Sequence, residues 1–336
     1  MTELTKTTTT TSFKPTLGLL DGTLIVAGSM IGSGIFIVSA DIARTVGSAG
    51  WLIAVCLITG FMTISAAVSY GELSGMYPKA GGQYVYLKEA YNPLTGFLYG
   101  WSFFAVIQTG TIAAVGVAFS KFAGIFIPAL ELNDKNVLLQ LGDFKIHTAQ
   151  FVSIILIVFL TYVNTRGIEG GKWIQRIFTV TKLLSLFGLI VFGFLLGAKA
   201  GVWHDNWANG WNMRPLSPGA GGEGVFGGPI IGLAVVGAIA AAMTGSIFSS
   251  DAWNNVTFIA GEIKNPKRNI GLSLFFGTLI VASLYILTNL MYLSVMPLQK
   301  IAFAPQDRVA VAAANTIFGD IGTKVIAIMI MISTFG

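Results

Sequence analysis

Residues 28–36 read Gly28-Ser29-Met30-Ile31-Gly32-Ser33-Gly34-Ile35-Phe36, in the middle of an apolar run long enough to cross a bilayer. In hydrocarbon every backbone N–H and C=O must find a partner. Glycine-loosened helix at mid-depth therefore persists only beside a cavity or inside protein. Amides freed at the start of the second half-helix can hold an anion, and carbonyls freed at the end of the first can hold a cation. An α-amino acid carries both charges on one carbon, so the segment reads as a site for that headgroup and the chain as a transporter. A glycine-packed helix crossing is the plainer reading. It is less apt because glycines and serines cluster together at mid-depth here. Two ionisable residues share that depth. Asp251 is costly in hydrocarbon and marks a functional position by default; it either holds a cationic group or a proton, or caps a half-helix through its amides. Lys182 lies ten residues, roughly 15 Å, beyond Lys172, too deep to snorkel to the interface.

The elements that must position these residues are apolar spans. Of 336 residues 54% are hydrophobic and 10% charged, against about 25% charged in an ordinary soluble domain. Eight apolar segments can be drawn: 17–43, 49–71, 94–128, 149–163, 173–196, 229–260, 270–296 and 321–336. The sixth would make an unbroken helix of roughly 48 Å, against a hydrocarbon core of about 30 Å. Gly245 and the polar run Ser246, Ser249, Ser250 and Asp251 favour a break there. Gly245-Ser246-Ile247-Phe248 echoes Gly32-Ser33-Gly34-Ile35-Phe36 five spans earlier, and interrupted helices at matching positions of two halves point to an inverted-repeat transporter. Basic density in the connections favours an N-terminus on the cytoplasmic side. Residues 1–16 read as a disordered cytoplasmic tail and 17–336 as one transmembrane domain. The chain stops inside an apolar run, which reads as a piece of a longer protein rather than a true eight-helix one.

Composition also excludes. The net charge of +5 is spread among loops with no basic patch, so no nucleic-acid partner is expected. The single cysteine, Cys56, allows no internal disulfide. His147 and His204 are far apart and offer no metal cluster. No nucleophile–base pair in a soluble cleft supports an enzyme, and no cofactor is expected. The expected partners are a small-molecule amino acid substrate and the lipid bilayer, with any accessory subunit left open.

Three motifs carry a family resemblance: residues 32–36; Tyr70-Gly71-Glu72-Leu73 with the Gly-rich stretch 78–87; and Phe248 through Trp253-Asn254 into residues 262–269. Together with the hydropathy they resemble the amino acid–polyamine–organocation (APC) superfamily, most closely its L-type amino acid transporter branch. The resemblance implies an all-α integral membrane bundle with a five-plus-five inverted repeat and discontinuous helices 1 and 6, here truncated after helix 8 of twelve. It implies a substrate carboxylate on the amides of Ser33 and Gly34, with the Met30 carbonyl as an ammonium acceptor. Carbonyls from Ile247 to Ser250 would be further acceptors, and Phe248 an outer lid. Trp253 and Asn254 would support the break. Asp251 departs from the small residue usual there and puts a large-neutral substrate range in doubt. Lys182 matches a lysine whose ammonium stands where sodium-coupled relatives hold a sodium ion, with Ser333 and Thr334 as eighth-span partners. Glu72, Glu262 and Arg268 would lie at an inner gate, where ion pairs could latch it. The activity implied is sodium-independent exchange of amino acids across the plasma membrane by alternating access. Proton-coupled uptake of amino acids or polyamines, and a sensor without transport, are the alternatives.

Overall fold

Apolar runs with helix-forming interiors and capped ends fold here into thirteen α-helices among the described residues. The computed structural model describes residues 15–335 apart from 132, 134, 143, 166–170 and 220–223; the expected tail therefore lies almost wholly outside them. The first span consists of α1 (Leu19–Met30), a one-turn 3-10 segment (Gly34–Phe36) and α2 (Val38–Val46). Next come α3 (Ala49–Met76) and α4 (Gln83–Ala90). Helix α5 (Pro93–Ser102) runs through a π-helical stretch into α6 (Thr109–Ala123). Then follow α7 (Thr148–Thr165), α8 (Gly171–Phe192), α9 (Ala200–Ala208) and α10 (Leu233–Ser249). The last are α11 (Pro266–Val295), α12 (Leu298–Ala302) and α13 (Val309–Phe335).

The ends are chemically marked. Ser48 Oγ accepts from the Trp51 amide at the start of α3, and Asn92 Oδ1 accepts from the Thr95 amide at 2.9 Å, with Pro93 as the first residue of α5. Five stretches are long and apolar enough to cross a membrane, and α1, α10 and residues 148–163 are shorter apolar helices. Each expected apolar segment thus contains helix. The connections, however, are not plain loops. Between α6 and α7, β1 (Val137–Leu141) pairs antiparallel with β2 (Phe144–His147); between α8 and α10 stand α9 and a second antiparallel pair, β3 (Leu216–Pro218) with β4 (Gly224–Phe226). Strands this short carry too few residues for a visible two-residue alternation.

At the centre α11 lies along α3 and α1, while α10 packs on α2 and α3. Gly71 and Gly271 bring α3 and α11 together main chain to main chain: a Cβ on Gly71 would lie 3.0 Å from Gly271 Cα. On the flank α6 packs against α7 and α13, joined by a 3.1 Å contact between the Ser120 and Ser153 hydroxyls. Large apolar side chains such as Phe97, Trp101, Phe151, Val158 and Leu184 point outward from this flank, as expected of a surface wetted by lipid. The eighth span also differs from the expected start at residue 321: helix begins at Val309 and breaks at Gly319 (φ 65°, ψ −150°), the left-handed region that glycine alone enters freely.

Candidate substrate site

In the first span the ladder holds through Gly28 and Ser29 and is lost only after Met30, with Ile31 at φ −79°, ψ 88°. The loosening therefore starts three residues later than the first glycine suggests, because a glycine inside a helix costs only about 1 kcal/mol and does not end it. Beyond it, the amides of Ser33, Gly34 and Ile35 donate to no backbone oxygen among the described residues. Three successive free N–H groups at a helical start form a concavity suited to an anion. Ser33 itself is buried.

The loosened carbonyls are met from three other spans. Lys182 Nζ, on α8, donates to Gly28 O at 3.3 Å. The Tyr285 hydroxyl, on α11, lies 2.9 Å from Met30 O, and Ser333 Oγ, on α13, donates to Ile31 O at 3.3 Å. Lys182 and Ser333 thus hold neighbouring carbonyls rather than each other, and Thr334 bonds back into its own helix at Ile330 O. Met30 O already takes Gly32 N and the Tyr285 hydroxyl; a carbonyl has two lone pairs, so an ammonium there would have to displace a donor.

The second interruption falls at the C-terminal end of the polar run 246–251, not at Gly245. Helix α10 runs through Gly245, Ser246, Ile247 and Phe248 and ends at Ser249, because neither glycine nor serine stops a helix whose i−4 acceptors remain in reach. The chain turns at Ser250 (φ −99°, ψ 9°) and Ala252 (φ 65°, ψ 5°), then resumes as a 3-10 turn, Trp253–Thr257. Alanine in that left-handed conformation is strained. The amides of Ala252, Trp253 and Asn254 donate to no backbone oxygen among the described residues. Trp253 packs edge-on against Tyr70 with ring centroids 4.9 Å apart, and Asn254 O accepts from Thr257 Oγ1 at 2.7 Å, so both residues brace the turn.

The two interruptions touch. A Cβ built on Gly34 would sit 2.5 Å from Ser249 Cβ, so only glycine lets the chains approach this closely. The Tyr285 hydroxyl is also 2.9 Å from Ser249 O, which places it between the carbonyl ends of α1 and α10. Its single proton can serve only one of the two at a time. Ser250 is buried, whereas Ile247 and Phe248 are each 48% exposed. Asp251 is exposed and has neither an ion pair nor a side-chain hydrogen bond among the described residues; Ala252, not Asp251, occupies the N-cap of the following turn, which removes the capping role.

Glu72, Glu262 and Arg268 are not joined by any ion pair among the described residues, which corrects the expected latch; Glu72 and Arg268 are exposed, where water competes for both charges. That end is held by main chain instead: Leu17 pairs with Ile263 in a parallel bridge, Leu17 N donates to Glu262 O at 3.0 Å and Lys264 N to Leu17 O at 2.8 Å. Sequence reasoning also missed Tyr285 and Asn289. Polar residues four apart on one face of an apolar helix are the signal that could have found them. It missed as well a charged cluster at the opposite end. There Arg44, on α2, donates to Asp307 at 2.6 Å and to Ala302 O at 2.7 Å; Arg308 donates to Glu131 at 3.3 Å and to Lys121 O at 3.0 Å. Burial lowers the pKa of the Arg308 guanidinium, and the adjacent Glu131 carboxylate pulls it back up.

The amino acid permease family profile matches residues 17–336. The chain belongs to that family. As an APC permease related to the L-type branch it stands among transport proteins rather than enzymes. It is similar to b(0,+)-type amino acid transporter 1 of Mus musculus, 27% identical over 93% of this chain and 56% of that protein. Serine/threonine exchanger SteT of Bacillus subtilis is 26% identical over 96% of this chain and 64% of its own length. Large neutral amino acids transporter small subunit 2 of Homo sapiens is 28% identical over 97% and 55%. The chain thus spans little more than half the length of the curated relatives it matches.

Proposed function

We propose that this permease is a sodium-independent amino acid exchanger working by alternating access, with the substrate headgroup bound between the two interruptions. The observation that carries the reading is the run of free amides at Ser33, Gly34 and Ile35 directly against Ser249. These donors take the α-carboxylate, with Ser33 Oγ as a further donor. Carbonyls around Met30 and from Ile247 to Ser250 take the ammonium when the Tyr285 proton turns to the other acceptor. Phe248 closes over the substrate. Lys182 on Gly28 O supplies a fixed cation at the loosened end of α1, which supports independence from sodium. The architecture proposed is a five-plus-five inverted repeat with interrupted first and sixth spans, in a plasma membrane with the N-terminus inside. Spans 1, 2, 6 and 7 rock against spans 3, 4 and 8 with span 5 as hinge. Glu72, Glu262 and Arg268 lie at the inner face. The similar proteins, amino acid transporters and a serine/threonine exchanger, support this reading.

A second reading concerns the cargo. Asp251, beside the interruption, has no ion pair among the described residues, which favours a substrate with a cationic side chain; proton-coupled uptake is the alternative mode. Reconstitution of the full-length protein in proteoliposomes separates these. Uptake that requires internal amino acid indicates exchange. Uptake driven by a pH step without internal substrate indicates symport. Binding without flux would overturn transport altogether.

A further inference from the structure

Behind the two interruptions α2, α3, α10 and α11 enclose a cavity of about 20 Å³, bordered by Ser39, Cys56, Ser246, Tyr285 and Asn289. Asn289 is 2% exposed, and its side-chain nitrogen is used: it donates to Tyr285 O at 2.9 Å and to Cys56 Sγ at 3.6 Å. Its Oδ1 has no partner. Ser39 and Ser246 are 2% and 5% exposed, and their hydroxyls make no hydrogen bond among the described residues. A buried amide oxygen without a partner and the hydroxyls of Ser39 and Ser246 therefore border one small space, beside Ser250 and Ser249, whose own hydroxyl is used on Ser246 O. Such groups are rarely left dry.

We propose that this cavity is a binding site for a single water molecule, held by Asn289, Ser39 and Ser246. The size fits, since a site needs roughly 10–15 Å³ to admit one water. The chemistry fits too: the water donates one proton to Asn289 Oδ1 and accepts from a serine hydroxyl, and its second proton meets the other serine oxygen. The guest is neutral, because no carboxylate borders the cavity to offset a cation. Ser39 follows the first interruption on α2, and Ser246 precedes the second on α10. The water therefore ties both interrupted spans to Asn289 on α11. The assignment does not depend on the transport reading, since it concerns only these four helices.

The direct test is a map of the full-length protein at about 2 Å resolution, with a peak expected within hydrogen-bond distance of Asn289 Oδ1 and a serine Oγ. A cavity without a peak overturns the proposal. A thermal-shift cycle checks it in solution, using Asn289→Leu, the pair Ser39→Ala with Ser246→Ala, and the triple variant. A shared water makes the triple shift smaller than the sum of its parts by about 2 °C or more. Additive shifts overturn it. If Asn289→Leu does not fold, Asn289→Ser takes its place in the same cycle.

Discussion

Gly34 is the residue on which the candidate site turns, because its missing Cβ lets Ser249 approach. Gly34→Ala should push the interruptions apart and weaken amino acid binding at least tenfold, about 1.4 kcal/mol; unchanged affinity by scintillation proximity would refute the headgroup assignment. Lys182→Ala removes the donor to Gly28 O and should cut turnover more than it raises KM, measured as exchange rates in proteoliposomes. Ala252 holds φ 65°, so Ala252→Gly should raise stability by about 0.5–1 kcal/mol in a thermal melt, strain relief outweighing the added freedom of the unfolded chain. At this scale the sequence was half legible. Ser33 and Gly34 stood out because glycine and serine are conspicuous in the middle of an apolar run. Ala252 gave no such sign, since alanine is the best helix former and yet stands here at φ 65°. Tyr285 was silent as well: hydropathy does not reveal which face of α11 meets the loosened carbonyls.

At the scale of elements, the hairpin formed by α12 and the start of α13 is pinned to its neighbours by charges of unequal burial. Arg44 and Asp307 are 28% and 35% exposed along their side chains, and Arg308 is 9% exposed. Arg44→Ala should therefore cost about 1 kcal/mol, and Arg308→Ala about 3 kcal/mol by stranding the partly buried Glu131 and the Lys121 carbonyl. Chemical denaturation of both variants side by side checks the order, and an inverted order would mean that Arg308 is already wet. The spans were readable from length and hydropathy. The hairpin was not, because its residues, such as Val309 and Ala313, look like any short apolar helix, and nothing before Gly319 declares that the helix will bend there.

For the molecule as a whole, Cys56 offers a native reporter. It is the single cysteine, 8% exposed, and burial keeps the thiol in reach of Asn289 and away from bulk solvent. A maleimide should label the folded protein at least about tenfold more slowly than the denatured chain. Rapid labelling without substrate would mean that α3 and α11 part readily. The family and the membrane setting were legible from whole-chain properties, namely charge, hydropathy and three motifs. The way α1 is held was legible only in part: the resemblance pointed to Lys182 and Ser333, whereas Tyr285 gave no sign, and the three reach α1 from positions up to 302 residues away in sequence.

The bare crossing at Gly71 and Gly271 limits how such a molecule can rearrange. Where two main chains rest on each other there are no interdigitating side chains to slip past one another, and no slack to take up. Whatever swings must swing the two rods together, as a single stiff beam.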